Sequence, residues 1–266
     1  MKLSKRSEKS LENTKYFQKL CLDIGGYKIS SALIDNKIIK KYTVLTEAEK
    51  GKSSVLRNIT KAIDKVYDKR IISINVAAAG PFKDFKKGIL DSVNLPLKNF
   101  NLKKFLYKKY KKNVKIDNDA KCFALGEAVF GAGKKYNNVL GITLGTGIGG
   151  GIIINKNIYH GRGNASEIGH MIMNFRNDIE TIFQKLKSNG EIRSYKMLGY
   201  YLGHAIVNYI HILDPDIIII GGGISKHFNE FEKEMNSIVR KKCMFEPCKI
   251  VKAKLKDSAL LGASLL

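Results

Sequence analysis

One aspartate at the junction of a predicted strand and a predicted helix has the chemistry of a general base. Asp119 follows the strand predicted at 114–116 and precedes the helix predicted at 120–130. A carboxylate placed against an alcohol can accept the hydroxyl proton while the oxygen attacks phosphorus. The neighbouring Asn118 carries an amide suited to hydrogen bonding a sugar hydroxyl. Either side chain would equally well cap the following helix, so position alone leaves both interpretations open.

Two glycine-rich turns have the composition of phosphate-binding loops. The first contains Asp23, Gly25 and Gly26, and the second covers residues 145–150. Glycine lets backbone N–H groups approach a polyphosphate closely, and the Thr146 hydroxyl adds a further donor. Asp23 would repel phosphate, which predicts that it holds Mg²⁺ through water. Two ordinary glycine hairpins are the alternative, but equivalent positions in two halves of the chain favour phosphate binding.

The predicted elements that position these residues occur in two similar sets. The pattern of strand, glycine turn and strand appears as LDIGGYKISSALI and again as TLGTGIGGGIII. Each set opens a sheet that helices then cover, which predicts a duplicated α/β architecture with two lobes facing a cleft. Ligands of open α/β sheets bind beyond the carboxyl ends of strands, where both turns lie. We predict strands at 20–24, 28–34, 37–44, 71–78, 114–116, 139–144, 152–155, 157–159, 216–220 and 249–253, and helices at 53–67, 102–110, 120–130, 194–213, 229–241 and 258–265.

This organisation divides the chain into three parts. Residues 1–19 are predicted to be a disordered basic lead-in, because they are polar and Lys-rich and lack an apolar signal-peptide core. A smaller N-terminal lobe would combine 20–116 with 254–266, and a larger C-terminal lobe would cover 117–253. No run reaches the roughly 18 apolar residues of a membrane span, so we predict a cytoplasmic protein without a membrane partner.

The charge balance is strongly basic, at a formal +23 over 266 residues. Lys greatly outnumbers Arg, whereas nucleic-acid readers favour the bidentate fork of Arg, so we predict no nucleic-acid partner. The densest basic run, 103–112, is interpreted as a solvated helix surface. The positive field should still attract anionic nucleotides. The four cysteines have no framework or metal-ligand spacing and are expected to be reduced thiols.

Eight motifs in a fixed order resemble the ROK family (repressor, open reading frame, kinase). The resemblance covers nearly the whole chain from Leu20 onward. It implies an α/β chain with the two-lobed actin-like (RNase H-like) ATPase fold, an active site in the interlobe cleft, and a homodimer. It also implies an ATP-dependent sugar kinase that uses Mg²⁺. The motifs are DIGG at Asp23, AAGP at Ala78, NLP at Asn94, DNDA at Asp117, LGTGIGGG at Leu144, ASEIGH at Ala165, GGGIS at Gly221 and the terminal ALLGAS.

The resemblance assigns roles to matching positions. Asp119 would be the catalytic base, and Glu167 and His170, three residues apart, would face the same sugar. Tyr27 stands where the family usually has Thr, which alters the phosphate contact at that position. The implied sugar-binding residues are Gly80, Asn94, Asn118, Glu167, His170 and Glu180, and the implied nucleotide-binding residues are Asp23, Gly25, Gly26, Lys28, Gly145, Thr146, Gly147, Gly221, Gly222 and Gly223.

A zinc module of the family is missing from this sequence. Most members follow the GH motif with CxCGxxGCxE, whose thiolates and His bind structural zinc. The segment 171–187 contains no Cys, and only His170 remains of about four ligands that a closed zinc site needs. We therefore predict no zinc. Glu180 would stand for the third sugar-binding Glu of the family, and an exposed helix position is the alternative.

The sequence thus predicts phosphorylation of the 6-hydroxyl of a hexose or N-acetylhexosamine. Loss of the zinc loop resembles a zinc-free subset of bacterial N-acetylmannosamine kinases, which favours that sugar, with glucose next. The alternative is a catalytically silent relative that binds sugar or nucleotide, suggested by Tyr27 and the missing zinc loop. A family-type repressor is disfavoured because about twenty residues precede Cys21, too few for a helix-turn-helix module.

Overall fold

The computed structural model describes residues 18–266, except residues 36, 93 and 189. The predicted lead-in falls outside the described residues apart from its last two, and Lys19 already begins the first strand. The strands are β1 (Lys19–Ile24), β2 (Lys28–Asp35), β3 (Lys37–Leu45), β4 (Ser73–Ala78), β5 (Phe82–Asp84), β6 (Ile89–Leu90), β7 (Phe100–Asn101), β8 (Asn113–Asn118), β9 (Val139–Leu144), β10 (Ile148–Ile154), β11 (Asn157–Ile158), β12 (Ile172–Asn174), β13 (Asn177–Asp178), β14 (Lys187–Ser188), β15 (Glu191–Ile192), β16 (Ile217–Gly221) and β17 (Lys249–Lys252).

Helices follow the main strands and cover the sheets. They are α1 (Lys52–Val66), α2 (Leu102–Tyr110), α3 (Asp119–Phe130), α4 (Ile179–Leu186), α5 (Tyr195–Leu213), α6 (Phe228–Lys242) and α7 (Ser258–Ala263). The sequence missed α4 and the short strands β5–β7 and β12–β15, which are made of two or three residues each. Such short strands have too few residues for an alternating apolar pattern to be visible.

Two five-stranded sheets have the same topology. The first has the order β3-β2-β1-β4-β8, and the second has the order β11-β10-β9-β16-β17. In each sheet the first three strands form an antiparallel meander and the last two run parallel to the central strand. Separate apolar cores form around each sheet. The internal repeat seen in the sequence is therefore a repeat of structure.

Helices α3 and α7 connect the two halves. Helix α3 leaves the first sheet but packs on β9 and β10 of the second, whereas α7 leaves the second sheet and packs on β1 and β4 of the first. The two helices cross closely, since a Cβ atom on Gly262 would lie 1.8 Å from the carbonyl oxygen of Cys122. Only glycine permits such an approach between backbones. The crossing places the start of α3, and hence Asp119, between the sheets.

The second glycine-rich turn is shorter than the sequence suggested. β10 begins at Ile148, so Gly149, Gly150 and Gly151 are strand residues and not part of a loop of 145–150. A Cβ atom on Gly151 would lie 2.6 Å from the carbonyl oxygen of Ala120 in α3. These glycines therefore serve close packing of the strand, and the turn itself contains only residues 145–147.

Candidate active site

The first glycine turn joins β1 to β2 and reaches the opposite half of the molecule. The Gly25 N–H donates to the carbonyl of Lys28 at 3.0 Å, and the Thr46 hydroxyl donates to the carbonyl of Gly25 at 2.7 Å. A Cβ atom on Gly26 would lie 3.4 Å from Asn94 and 3.9 Å from the Thr146 hydroxyl oxygen. The two predicted phosphate turns therefore face each other across a narrow gap, with Asn94 beside them.

The second turn leaves two backbone donors available. The Gly145 N–H donates to the carbonyl of Gly147 at 2.9 Å, and the Ile148 N–H donates to the Glu180 carboxylate at 2.6 Å. Among the residues that the structure describes, the N–H groups of Thr146 and Gly147 donate to no acceptor. Backbone donors without protein partners in a glycine turn suit phosphate oxygens.

A third glycine turn lies beside the second. Gly222 has φ +84°, and a Cβ atom there would lie 2.3 Å from the carbonyl oxygen of Leu144, which precedes the second turn. A Cβ atom on Gly221 would lie 2.4 Å from the ring of Phe123, whereas Gly223 borders open space. Gly221 and Gly222 thus permit close packing, and Gly223 is the member that a ligand can approach.

The predicted base lies at the first turn of α3. Asp119 is half-buried, and its Oδ1 accepts from the Ala120 N–H at 2.9 Å, whereas none of the described residues donates to its Oδ2. Asn118 is the N-cap, since its Oδ1 accepts from the N–H groups of Ala120 and Lys121 at 2.9 and 3.2 Å. Its Nδ2 donates to the carbonyl of Gly80 at 3.3 Å. Asn118 therefore caps α3 and holds the backbone of Gly80 beside it, whichever ligand it contacts.

Three carboxylates influence one another in this region. Burial, and then the charge of Asp119, raises the pKa of Asp23 to about 7. Burial raises the pKa of Asp119 to about 6, the Ala120 N–H opposes this rise, and the charge of Glu167 adds to it. Desolvation of its carboxylate also raises the pKa of Glu167, although the residue as a whole is exposed. A base whose pKa lies near physiological pH is matched to its task, since it accepts a proton readily and is still largely ionised.

The segment of the predicted sugar-binding pair is a short 3-10 helix, Ile168–His170. It is anchored to β10 by the Ser166 hydroxyl, which donates to the carbonyl of Gly150 at 3.0 Å. Glu167 and His170 are both exposed, and the imidazole Nδ1 lies 3.1 Å from a carboxylate oxygen of Asp178. Both side chains are accessible to a ligand.

A cluster of polar contacts around Asp117 and Lys121, each two residues from the base in sequence, was not assigned from the sequence. Lys121 is 1% exposed, and its ammonium donates to the carbonyl of Gly163 at 2.6 Å. The carboxylate of Asp117 lies 2.6 Å from Nε2 of His160. Asn164 exchanges two hydrogen bonds, of 2.9 and 2.8 Å, with the backbone of Phe82 in the other half. The DNDA motif was the one sequence signal for this cluster, because it contains Asp117.

Glu180 lies against the second phosphate turn. Its Oε2 accepts the Ile148 N–H, and its Oε1 accepts from Nε2 of Gln184 at 2.6 Å. Both oxygens are therefore already engaged beside the turn. The predicted contact of Glu180 with a sugar stays a prediction.

Of the remaining predicted residues, Tyr27 (75% exposed) and Lys28 extend into solvent from the first turn.

The donor set suits a hard divalent cation at Asp23. The charge of Asp119 acts on its carboxylate, and burial and this charge raise its pKa even though Lys28 and Lys41 oppose the rise. Oxygen ligands and uncompensated negative charge are what Mg²⁺ prefers. No group of three His, Cys, Asp or Glu side chains that could hold a metal ion occurs within the described part of the chain.

Comparison with known proteins identifies the family. A sequence model described as the ROK family matches residues 19–181 and 176–266. The chain belongs to the ROK family. A relative named glucokinase from Thermotoga maritima is 31% identical, over 77% of this chain and 81% of its own length. A relative named N-acetyl-D-glucosamine kinase from Mannheimia succiniciproducens is 29% identical, over 76% of this chain and 83% of its own.

A solved structure has the same fold. A ROK family glucokinase from Streptomyces griseus, in complex with glucose and AMPPNP, superposes with a TM-score of 0.78. The match covers 92% of this chain and 97% of that one, at 22% identity. At this identity the likeness shows the fold alone. It confirms the predicted actin-like α/β fold. Within the described residues, no helix is long and apolar enough to span a membrane.

Proposed function

We propose that this ROK protein is an ATP-dependent kinase that phosphorylates the 6-hydroxyl of a hexose or N-acetylhexosamine. One observation carries the proposal. Two glycine turns face each other, one of them with two backbone donors that have no acceptor among the described residues, and Asp119 lies at the helix start close to Asp23 of the first turn. Phosphoryl transfer needs the nucleotide and the acceptor held together with a base beside the acceptor oxygen.

The nucleotide side of the site comprises the three glycine turns. The N–H groups of Thr146 and Gly147 would bind the terminal phosphates, and Gly223 would lie against the nucleoside. Residues of the first turn, from Asp23 to Lys28, would complete the phosphate site from the other lobe. Mg²⁺, held through water by Asp23, would neutralise charge on the phosphates.

The acceptor side is built around Asp119. In this proposal the carboxylate takes the proton from the 6-hydroxyl as that oxygen forms a bond to the γ-phosphorus, and ADP leaves with the electrons of the broken P–O bond. Glu167 and His170 would bind sugar hydroxyls, and Gly80 and Asn94 would form the opposite wall. Closure of the lobes would exclude water, which otherwise competes as acceptor.

The names of the relatives support a hexose or N-acetylhexosamine and change the order of testing. A glucokinase and an N-acetyl-D-glucosamine kinase are among the relatives, so we place glucose and N-acetylglucosamine first. N-acetylmannosamine, favoured by the sequence, follows them. Each of these sugars carries a primary 6-hydroxyl, so the same base can serve all of them.

An ADP-release assay with Mg-ATP and a panel of sugars tests the proposal. The wild type should turn over at least one of glucose, N-acetylglucosamine, N-acetylmannosamine, mannose, fructose and allose. Asp119→Asn should lower kcat by a factor of about 100 or more, because the base is lost while the shape is kept. Asp64→Asn is the matched control, since Asp64 is exposed on α1 and its contact with the Tyr110 hydroxyl can be kept by an amide.

The silent relative remains the second candidate, favoured by Tyr27 at a phosphate turn and by the use of the Asn118 amide in capping. The ADP-release assay, combined with measurements of AMPPNP and sugar binding, distinguishes this candidate from an active kinase. Tight binding of AMPPNP or a sugar without turnover of any sugar in the panel would favour it and overturn the kinase.

A further inference from the structure

Helix α4 and the residue that ends it contact the second phosphate turn through three side chains. Glu180 and Gln184 are four residues apart on one face of α4, and Lys187 is the extended residue that follows the helix. Glu180 Oε2 accepts the Ile148 N–H at 2.6 Å, and Gln184 Nε2 donates to the carbonyl of Thr146 at 2.7 Å. We call this set the α4 clamp. Nothing in the sequence motifs assigned Gln184 or Lys187.

Lys187 makes the most extensive contact of the α4 clamp. Its ammonium donates to the carbonyl of Gly145 at 3.1 Å and to that of Thr146 at 3.0 Å, and it lies 5.2 Å from the ring centroid of Phe183. The Thr146 carbonyl therefore receives two donors, from Lys187 and Gln184. Charge-assisted hydrogen bonds are stronger than neutral ones, so the clamp fixes the direction of both carbonyls.

The direction of these carbonyls determines where the turn's free donors lie. In a planar trans peptide, the C=O of one residue and the N–H of the next residue point in opposite directions. Because the carbonyls of Gly145 and Thr146 point towards α4, the N–H groups of Thr146 and Gly147 point away from it. These are the two donors of the turn that lack a protein acceptor among the described residues.

We propose that Glu180, Gln184 and Lys187 are positioning residues that hold the second turn with the Thr146 and Gly147 N–H groups directed at the phosphates of the nucleotide. The inference rests on the proposed function for the identity of the ligand. It gives Glu180 a role at the turn, because one oxygen accepts from the Ile148 N–H and the other from Gln184. Because Lys187 and Gln184 bind the carbonyls of the turn, their loss should weaken nucleotide binding much more than sugar binding.

Two variants remove different parts of the clamp. Lys187→Met removes the ammonium and keeps much of the side-chain length. Gln184→Glu replaces a donor by a carboxylate that faces the Thr146 carbonyl and Glu180. The matched control is Lys185→Met, because Lys185 lies on the same helix but donates to Asn177 at 2.7 Å. Lys187→Arg keeps the charge and the donors and serves as the rescue variant.

Calorimetric titration and hydrogen exchange measure the effect. We expect both clamp variants to weaken binding of Mg-AMPPNP about tenfold, while the Kd of the sugar preferred in the panel changes by less than about twofold. In the ligand-free protein, exchange of amides in 145–148 should become at least about threefold faster. Lys185→Met should match the wild type, and Lys187→Arg should retain affinity within about threefold.

The outcomes separate this inference from the proposed function. Unchanged AMPPNP affinity or unchanged exchange in both clamp variants overturns the inference, even if the wild type is an active kinase. An equal loss of nucleotide and sugar affinity also overturns it, because that pattern indicates a general structural role. Weakened AMPPNP binding in the variants of a protein that turns over no sugar would support the clamp and refute the kinase. A wild type that binds no AMPPNP refutes both.

Discussion

Asp23 and Asp119 lie close enough for the charge of one to raise the pKa of the other, and both are half-buried at the mouth of the cleft. The pKa of Asp23, about 7, lies well above its ordinary value of 3.8. An acid with a raised pKa stabilises the fold below its ordinary pKa, and this contribution is lost as the pH rises through the folded-state value. At about pH 8 the ionised carboxylate therefore lowers the free energy of unfolding.

We predict that Asp23→Asn stabilises the protein at about pH 8 by on the order of 2 kcal/mol, because the amide avoids the cost of a buried charge. The gain should shrink between pH values of about 7 and 4, where the wild-type group becomes protonated. Thermal unfolding across this range measures it. Asp68→Asn is the control of opposite sign, since hydrogen bonds from Arg70 lower the pKa of Asp68 to about 2. A gain of equal size at every pH would contradict the prediction.

At the scale of elements, the crossing of α3 and α7 is held by one buried carboxylate. Glu127 of α3 is fully buried, and its Oε1 accepts from the Leu255 N–H and the Ser258 hydroxyl, each at 2.8 Å. Its Oε2 accepts from the N–H groups of Ala132 and Lys254 at 2.9 and 3.2 Å. Four donors converge on one side chain, which ties the segment before α7 to the helix from the other lobe.

Glu127→Gln should lower the free energy of unfolding by about 2–4 kcal/mol, because an NH₂ group would face backbone donors and leave them unpaired. Urea unfolding at neutral pH measures this. Glu49→Gln, at an exposed position, should be nearly neutral. A small effect of Glu127→Gln, similar to that of the control, would show that water or rearrangement satisfies these donors.

Most of the main strands and helices could be predicted from local patterns, because apolar periodicity and glycine turns depend on residues that are close together in sequence. The helix at 102–110 and the strand at 139–144 were predicted with the bounds that the structure shows. The role of the glycines in β10 could not be predicted in this way, because Gly149 and Gly151 accommodate α3 and Gly150 accommodates Ser166 and Ile168, which are distant in sequence. The same holds for His160, whose partner Asp117 is 43 residues away.

The contacts of Glu180 at the site likewise could not be predicted from the sequence. The sequence placed it on a possible helix and offered a sugar contact, but only the packing of α4 shows that it accepts the Ile148 N–H. Residue type and order predicted candidate residues for the site. They did not predict which oxygens and N–H groups the fold already uses, because that depends on how the two halves and α4 pack.

At the scale of the whole molecule, the formal charge of +23 surrounds a cleft that contains several carboxylates. A strongly positive protein accelerates encounter with anionic ligands, and salt screens this attraction within about 8 Å at physiological ionic strength. Mg-ATP carries net negative charge, whereas a hexose carries none. Only the nucleotide should therefore respond to the field.

We predict that raising NaCl from about 20 to about 300 mM increases the KM for Mg-ATP at least about threefold, because screening slows nucleotide binding. The KM for a neutral sugar should change by less than about 1.5-fold over the same range, which makes the second substrate an internal control. Steady-state kinetics at saturating co-substrate measure both constants. Parallel changes in the two constants would indicate a general effect of salt on the fold or on closure, and the excess of Lys would then have no role in capturing the nucleotide.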